Sequence, residues 1–161
     1  MHELLNFLLS YRRVPDEFYH GTPAKEKADS IIRQGQVIPN EGKLYTAHDI
    51  RVPVSFALCG STNWVTGEIQ DLTWYMQDYG PYGYVFTLYP PQERLIPTPY
   101  PVDNLTYESN DALAVNECWQ IDRRKQEELE WDCSNFFSIA TLYWKNEQQI
   151  AASKGNNERS F

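Results

Sequence analysis

The sequence is poor in cysteine and lacks any long apolar run. Its three cysteines, Cys59, Cys118 and Cys133, form no CxxC pair, and their odd number leaves one thiol unpaired in any disulfide scheme. This pattern argues against structural zinc and favours a reducing compartment. The first residues are apolar and then basic, the reverse of a secretory signal, and no run is long enough to cross a bilayer. We therefore expect a cytoplasmic protein with no membrane partner.

Positive charge is also scarce. The chain has 14 Lys and Arg residues against 22 Asp and Glu residues, which gives a formal net charge of −8. Such a surface repels phosphate backbones and so disfavours nucleic acid as a partner, although a local basic groove could override the net charge. The charge is compatible with docking onto a basic protein. An acidic inhibitor that imitates DNA is an alternative that it leaves open.

The local patterns mix short strands with helices, which predicts an α+β domain. A chain of 161 residues fits one domain. Helices are predicted at the N-terminus (ending before Pro15), at Ala24–Gln34 with Gly35 as the C-terminal cap, and at Val52–Leu58. Strands are predicted at 17–20, 37–38, 44–45, 84–89, 112–115 and 118–121.

Three further stretches carry weaker patterns. The prolines between 90 and 101 predict an extended connection, and residues 60–83 give no clear assignment. Residues 122–149 show apolar and charged residues at helical spacing and predict a helical segment. The basic cluster at 123–125 is interpreted as a solvated helix start rather than a phosphate clamp.

The motifs that carry chemistry come in a definite order. A strand ends in His20-Gly21-Thr22 and a helix follows; the next strand contains Tyr45, and Ser55-Phe56 lie in the helix after it. A late strand opens with Asn116-Glu117. Each motif alone is common, but the ordered set resembles the ADP-ribosyltransferase family, in the His-Tyr-Glu branch shared with poly- and mono-ADP-ribosyl polymerases. The resemblance covers about residues 17–122.

The resemblance implies a fold. We expect an ADP-ribosyltransferase-like split antiparallel β-sandwich with flanking helices, formed by a single domain over residues 1–161. The N-terminal helix and the C-terminal helical extension lie outside the matched region.

The resemblance also implies NAD as a substrate and a role for each motif. Glu117 would bind the ribose 2′-hydroxyl and stabilise the oxocarbenium-like transition state as nicotinamide leaves. Tyr45 and Phe56 would stack on the nicotinamide ring. His20 would bind the adenosine-side ribose. The implied catalytic residues are Glu117, His20 and Tyr45, and the implied NAD-binding residues are His20, Gly21, Thr22, Tyr45, Ser55 and Phe56. Thr22 is expected mainly to shape the turn, and no metal is required.

Two departures from the polymerase pattern narrow the expected reaction. Pro53 stands where polymerases commonly carry a serine, with Ser55 nearby as a substitute, and Thr46 replaces a phenylalanine. These changes favour a mono-ADP-ribosyltransferase with a protein acceptor, in an effector or phage protein. The alternatives are an inactive member of the fold that binds a partner, an acidic DNA mimic, an NAD hydrolase, or a relative that modifies nucleic acid.

Overall fold

The computed structural model describes residues 18–38, 44–47, 49–68, 71–89, 96–97, 106–109 and 112–147, with the backbone alone at 44–47, 96–97 and 106–109. The expected N-terminal helix and most of the proline-rich connection lie outside these ranges. The strands are β1 (Phe18–Thr22), β2 (Gln36–Val37), β3 (Leu44–Ala47), β4 (Tyr82–Leu88), β5 (Ile96–Pro97), β6 (Thr106–Ser109), β7 (Leu113–Asp122) and β8 (Thr141–Lys145). The helices are α1 (Lys25–Gln34), α2 (Arg51–Cys59), α3 (Thr73–Tyr79) and α4 (Phe136–Ile139), with a 3₁₀ helix at Arg123–Glu128.

The described strands form one antiparallel sheet in the order β2-β7-β4-β1-β3-β6-β5, and β8 also pairs with β7. This arrangement confirms the predicted α+β class. β5 lies at the end of this order, where Pro97 is tolerated because an outer strand leaves one side without ladder bonds.

Side-chain alternation along the central strands divides the core into two layers. On one side, Phe18, Phe86 and Cys118 pack with Ala28 and Ile31 of α1, and we call this side the α1 face. On the other side, Tyr19, Val85 and Ile121 pack with residues of α2, and we call this the α2 face. The buried members of this second layer are Tyr19, Val54, Ala57, Leu58, Cys59, Leu72, Val85, Ile121, Leu129, Cys133 and Phe136.

The two longer helices form where local sequence predicts them. α1 ends at Gly35, whose φ of 69° is left-handed and whose N–H donates to the carbonyls of Ile31 and Ile32. α2 carries Pro53 in its first turn, where the missing N–H removes no helical hydrogen bond. Both predicted helices are confirmed, with boundaries shifted by one residue at most.

The predicted helical segment over 122–149 is wrong over residues 122–147, the part of it that the structure describes. This stretch forms the 3₁₀ helix, the one-turn α4 and the strand β8. β8 pairs with β7 from Gln120–Thr141 to Glu117–Lys145 and so extends the sheet. The helical spacing of a few apolar residues was misleading here, because β8 forms by pairing with β7, more than 20 residues earlier in the chain. Two smaller differences are that β1 continues through Gly21-Thr22 and that α3 forms within the unassigned stretch.

The prediction for the basic cluster is wrong for Arg123, whose side chain is 1% exposed. Its guanidinium donates hydrogen bonds to five backbone carbonyls and has no carboxylate partner among the hydrogen bonds of the described residues. The acceptors are Leu58 (2.8 Å), Ala57 (2.7 Å), Gly80 (2.8 Å), Tyr82 (2.7 Å) and Pro23 (3.1 Å). These carbonyls belong to the end of α2, the α3–β4 connection and the β1–α1 turn. One buried cation therefore joins three segments of the fold.

Replacing Arg123 by Met should lower the free energy of unfolding by about 3–5 kcal/mol, because buried carbonyls lose their donors. Urea denaturation followed by tryptophan fluorescence measures the change. Arg124→Met is the matched control, since Arg124 is exposed and bonded to Asp122, and it should change stability by less than about 0.5 kcal/mol. Equal effects of the two substitutions would contradict the role given to Arg123.

Candidate functional site

β1 and β3 separate after a single point of contact. Among the described residues their pairing is confined to Tyr19–Ala47. Continued antiparallel register would put Tyr45 opposite Gly21, but these two residues do not pair. On its other side β3 pairs with β6, where Tyr45 lies opposite Glu108. In the part of the chain that the structure describes, the His20-Gly21-Thr22 end of β1 and the Leu44–Thr46 part of β3 therefore form no ladder with each other, and we call the space between them the gap.

The three β1 motif residues have different surroundings. His20 is half-buried and, by alternation, lies on the α1 face opposite Phe86. Thr22 is buried, and its hydroxyl accepts a hydrogen bond from the Ala24 N–H at 3.4 Å, in keeping with a role in shaping the turn. A Cβ on Gly21 would overlap the Pro53 carbonyl oxygen, so packing of α2 requires glycine here.

The predicted stacking residues lie on separate elements. Tyr45 is in β3, and its side chain lies outside what the structure describes. Phe56 is half-buried in α2, where it packs against Val52 and Val65 in a small cluster apart from the two core layers. The described contacts of Phe56 are therefore with its own helix and the loop that follows it.

Ser55 is completely buried in α2. Its hydroxyl donates to the Ser61 carbonyl at 2.7 Å and accepts from the Trp64 N–H at 3.1 Å. Both bonds fix the loop after α2, which gives Ser55 a structural role. The expected contact of Ser55 with NAD stays a prediction.

Glu117 is held in place on the α2 face of β7. Its Oε1 accepts from the indole N–H of Trp119 at 3.3 Å and from the Thr87 hydroxyl at 3.4 Å. Thr87 is its cross-strand partner on β4, and Lys145 is its partner on β8. The pairs Ala47–Tyr19, Tyr19–Thr87, Thr87–Glu117 and Glu117–Lys145 form one row across five strands. The half-buried carboxylate thus has defined donors and a fixed position.

Aromatic rings stand beside this carboxylate. Phe137 of α4 contacts Trp119 edge-to-face with 5.0 Å between ring centroids and lies 6.5 Å from Tyr19. Phe137 remains 44% exposed. α2 packs closely against the same face at Gly21 and Gly83, and Phe137 packs on Trp119, two residues from Glu117. The result is a carboxylate next to an open aromatic wall.

A further polar group lies near Glu117. The Tyr89 hydroxyl is buried and has no hydrogen-bond partner in the part of the chain that the structure describes. Burial raises the pKa of Tyr89, and the negative charge of Glu117 raises it further. A buried donor without a partner beside a carboxylate is suited to binding a ligand hydroxyl.

The cysteines are not arranged for chemistry. All three are buried and free. Burial raises the pKa of Cys118 well above its ordinary value and raises the pKa of Cys133 to about 12. Thiolates are the reactive form, so neither thiol is prepared to act as a nucleophile at neutral pH.

The structure brings together some of the predicted site residues and separates others. Gly21 and Tyr45 border the same gap. His20 and Glu117, in contrast, lie on opposite faces of the sheet, in two neighbouring rows of cross-strand pairs. The motifs did not reveal Thr87, Tyr89 or Phe137, because their relation to Glu117 arises only through strand pairing and α4. Trp119 could have been found, since a residue two positions along a strand shares its face.

Comparison with known proteins adds no relative. No family model, no curated protein and no solved structure matches the chain. Within the described ranges, no helix has both the length and the apolar character needed to cross a membrane.

Replacing Ser55 by Ala should lower the free energy of unfolding by about 1–3 kcal/mol, because the Trp64 N–H loses a buried acceptor. The exposed Ser138→Ala is the control and should stay within about 0.5 kcal/mol of the parent protein. Chemical denaturation compares the three proteins. A weakened affinity for NAD with unchanged stability would instead show that Ser55 contacts NAD.

Proposed function

We propose that the protein is a mono-ADP-ribosyltransferase that cleaves NAD at the nicotinamide–ribose bond and transfers ADP-ribose to a protein acceptor. The observation that carries the proposal is the Glu117 carboxylate, held by two donors beside open aromatic rings. The order of the His20, Tyr45 and Glu117 motifs along the chain supports the same reaction.

The gap between β1 and β3 supports a site for the nicotinamide end of NAD. A split sheet of the ADP-ribosyltransferase type would have such a separation, and the absence of pairing between Gly21 and Tyr45 among the described residues is compatible with one. Backbone groups that form no ladder bonds at a strand edge are suited to binding a carboxamide. The Tyr45 ring would stack on nicotinamide.

The distance from this gap to Glu117 is one that the nicotinamide end of NAD has to span. β7 is two strands from β1, with β4 between them. Adjacent strands are about 4.8 Å apart, so Glu117 stands about 10 Å across the sheet from β1. Because Glu117 acts on the ribose bonded to nicotinamide, the ring and this ribose together have to reach across β1 and β4 to the carboxylate.

The reaction requires a negative charge at the ribose. As the bond between the ribose C1″ and the nicotinamide nitrogen breaks, positive charge develops on the ribose and the ring leaves as neutral nicotinamide. The fixed carboxylate of Glu117 would stabilise that charge. The acceptor nucleophile then bonds to C1″ and releases its proton to solvent. The Tyr89 hydroxyl provides an additional donor for a ribose hydroxyl.

A binding protein of the same fold is the second candidate. The placement of His20 on the α1 face, away from Glu117, favours this alternative because a ligand on the α2 face would not contact its side chain directly. If the protein is an ADP-ribosyltransferase, groups other than the His20 side chain hold the adenosine end. Turnover of NAD separates the two candidates.

Purified protein incubated with NAD should release nicotinamide, and Glu117→Gln should reduce the rate by about 100-fold or more, because the amide keeps the shape but removes the anion. Chromatography of released nicotinamide measures the rate. Glu26→Gln is the matched control on an exposed carboxylate of α1 and should retain the full rate. Unchanged release in Glu117→Gln would remove Glu117 from the mechanism, and no release by the parent protein would favour the binding protein.

Trp119→Phe should lower kcat by about 2- to 12-fold with little change in KM, because the ring remains while one hydrogen bond to Glu117 is lost. Trp74→Phe replaces an exposed indole and should leave both constants unchanged. Steady-state kinetics with NAD as the varied substrate provide both constants. A rise in KM alone would show that Trp119 contacts NAD rather than positions the carboxylate.

A further inference from the structure

Residues 127–137 form a surface that is both acidic and aromatic, which we call the acidic-aromatic segment. Two of its rings are open to solvent: Trp131 is 76% exposed and Phe137 is 44% exposed. The sequence contains no Lys or Arg between Lys125 and Lys145. The acidic residues of the segment are Glu127, Glu128, Glu130 and Asp132.

The backbone of this segment is fixed from within. Leu129, Cys133 and Phe136 are buried in the α2-face core. The Asn135 side chain accepts a hydrogen bond from the Glu130 N–H and donates one to the Glu128 carbonyl, both at 2.9 Å. A fixed loop with exposed rings loses little conformational entropy on binding.

Arg51, whose charge reaches the segment, is already bonded to another carboxylate. The charge of Arg51 helps to lower the pKa of Asp132, after hydrogen bonds from Ser134, so Arg51 lies close to the segment. Its guanidinium, however, is bonded to both carboxylate oxygens of Asp49. The net charge of −8 adds to the attraction for a cationic partner.

We propose that the acidic-aromatic segment docks an arginine-containing basic segment of a partner protein. A guanidinium stacks on the faces of Trp and Phe rings and pairs with carboxylates, so it matches both features of this surface. An anionic partner such as nucleic acid would be repelled by the same charges.

The docking surface is continuous with the candidate site. Phe137 contacts Trp119, and Trp119 donates to Glu117. A basic segment docked on Phe137 would therefore lie beside the carboxylate and present an acceptor side chain there. This acceptor role rests on the proposed transferase function, whereas docking itself does not.

Fluorescence anisotropy with a labelled hexa-arginine peptide tests the docking surface. Trp131→Ala should weaken binding by about 5- to 30-fold, the range given by loss of a cation–π contact. Trp74→Ala is the matched control, since Trp74 is also exposed, at 60%, but lies outside the segment; it should change binding by less than about 2-fold. A hexa-lysine peptide should bind more weakly than hexa-arginine.

Each of four results would overturn the proposal, and three of them concern the peptide and the variants. They are no binding by the parent protein, equal losses in Trp74→Ala and Trp131→Ala, and a dimer of the parent protein that Trp131→Ala dissociates. The fourth result is that spermine, at the same concentration of positive charge, displaces the labelled peptide as well as unlabelled hexa-arginine does. It would show that the surface attracts any cation. Glu117→Gln should keep peptide binding while it loses nicotinamide release, so failure of docking and failure of catalysis are distinguishable.

Discussion

The guanidinium of Arg123 sets the relative positions of the elements that build the candidate site. Its five carbonyl acceptors lie at the end of α2, in the β1–α1 turn, and just before and at the start of β4. The carbonyls at the end of a helix lack partners within the helix and carry its negative dipole end, so a buried cation satisfies both requirements. Burial lowers the pKa of Arg123, yet the group remains charged because its ordinary pKa is so high. With α2 fixed in this way, its backbone can approach Gly21 and Gly83 closely.

That close approach determines which part of the sheet is available to a ligand. α2 packs closely on the α2 face at Gly21 and Gly83, and Phe137 of α4 packs on Trp119, which lies on the same face two residues from Glu117. The half-buried carboxylate is held by donors from the sheet, and the ring of Phe137 is 44% exposed. The acidic-aromatic segment continues this surface, so the proposed donor and partner sites are parts of one face.

The sequence could predict the elements whose signals are local. α1 and its Gly35 cap, and α2 with Pro53 in its first turn, follow from periodicity and from the conformations of Gly and Pro. The residues 122–149 could not be predicted in the same way, because β8 is defined by pairing with β7. Arg123 was misinterpreted for the same reason: its acceptors are 41 to 100 residues away along the chain. At the site, motif order singled out Gly21, Tyr45 and Glu117, while the packing of Ser55 and the placement of Phe137 required the three-dimensional arrangement.

The central claim is that NAD occupies the β1–β3 gap and reaches Glu117. A titration of isotopically labelled protein with NAD, followed by backbone amide resonances, tests it most directly. We predict that the largest changes in amide chemical shift fall on Gly21, Tyr45 and Glu117. The side of α1 that faces away from the sheet serves as the reference region and should show smaller changes. Shifts confined to other parts of the chain, or none at millimolar NAD, would contradict the account.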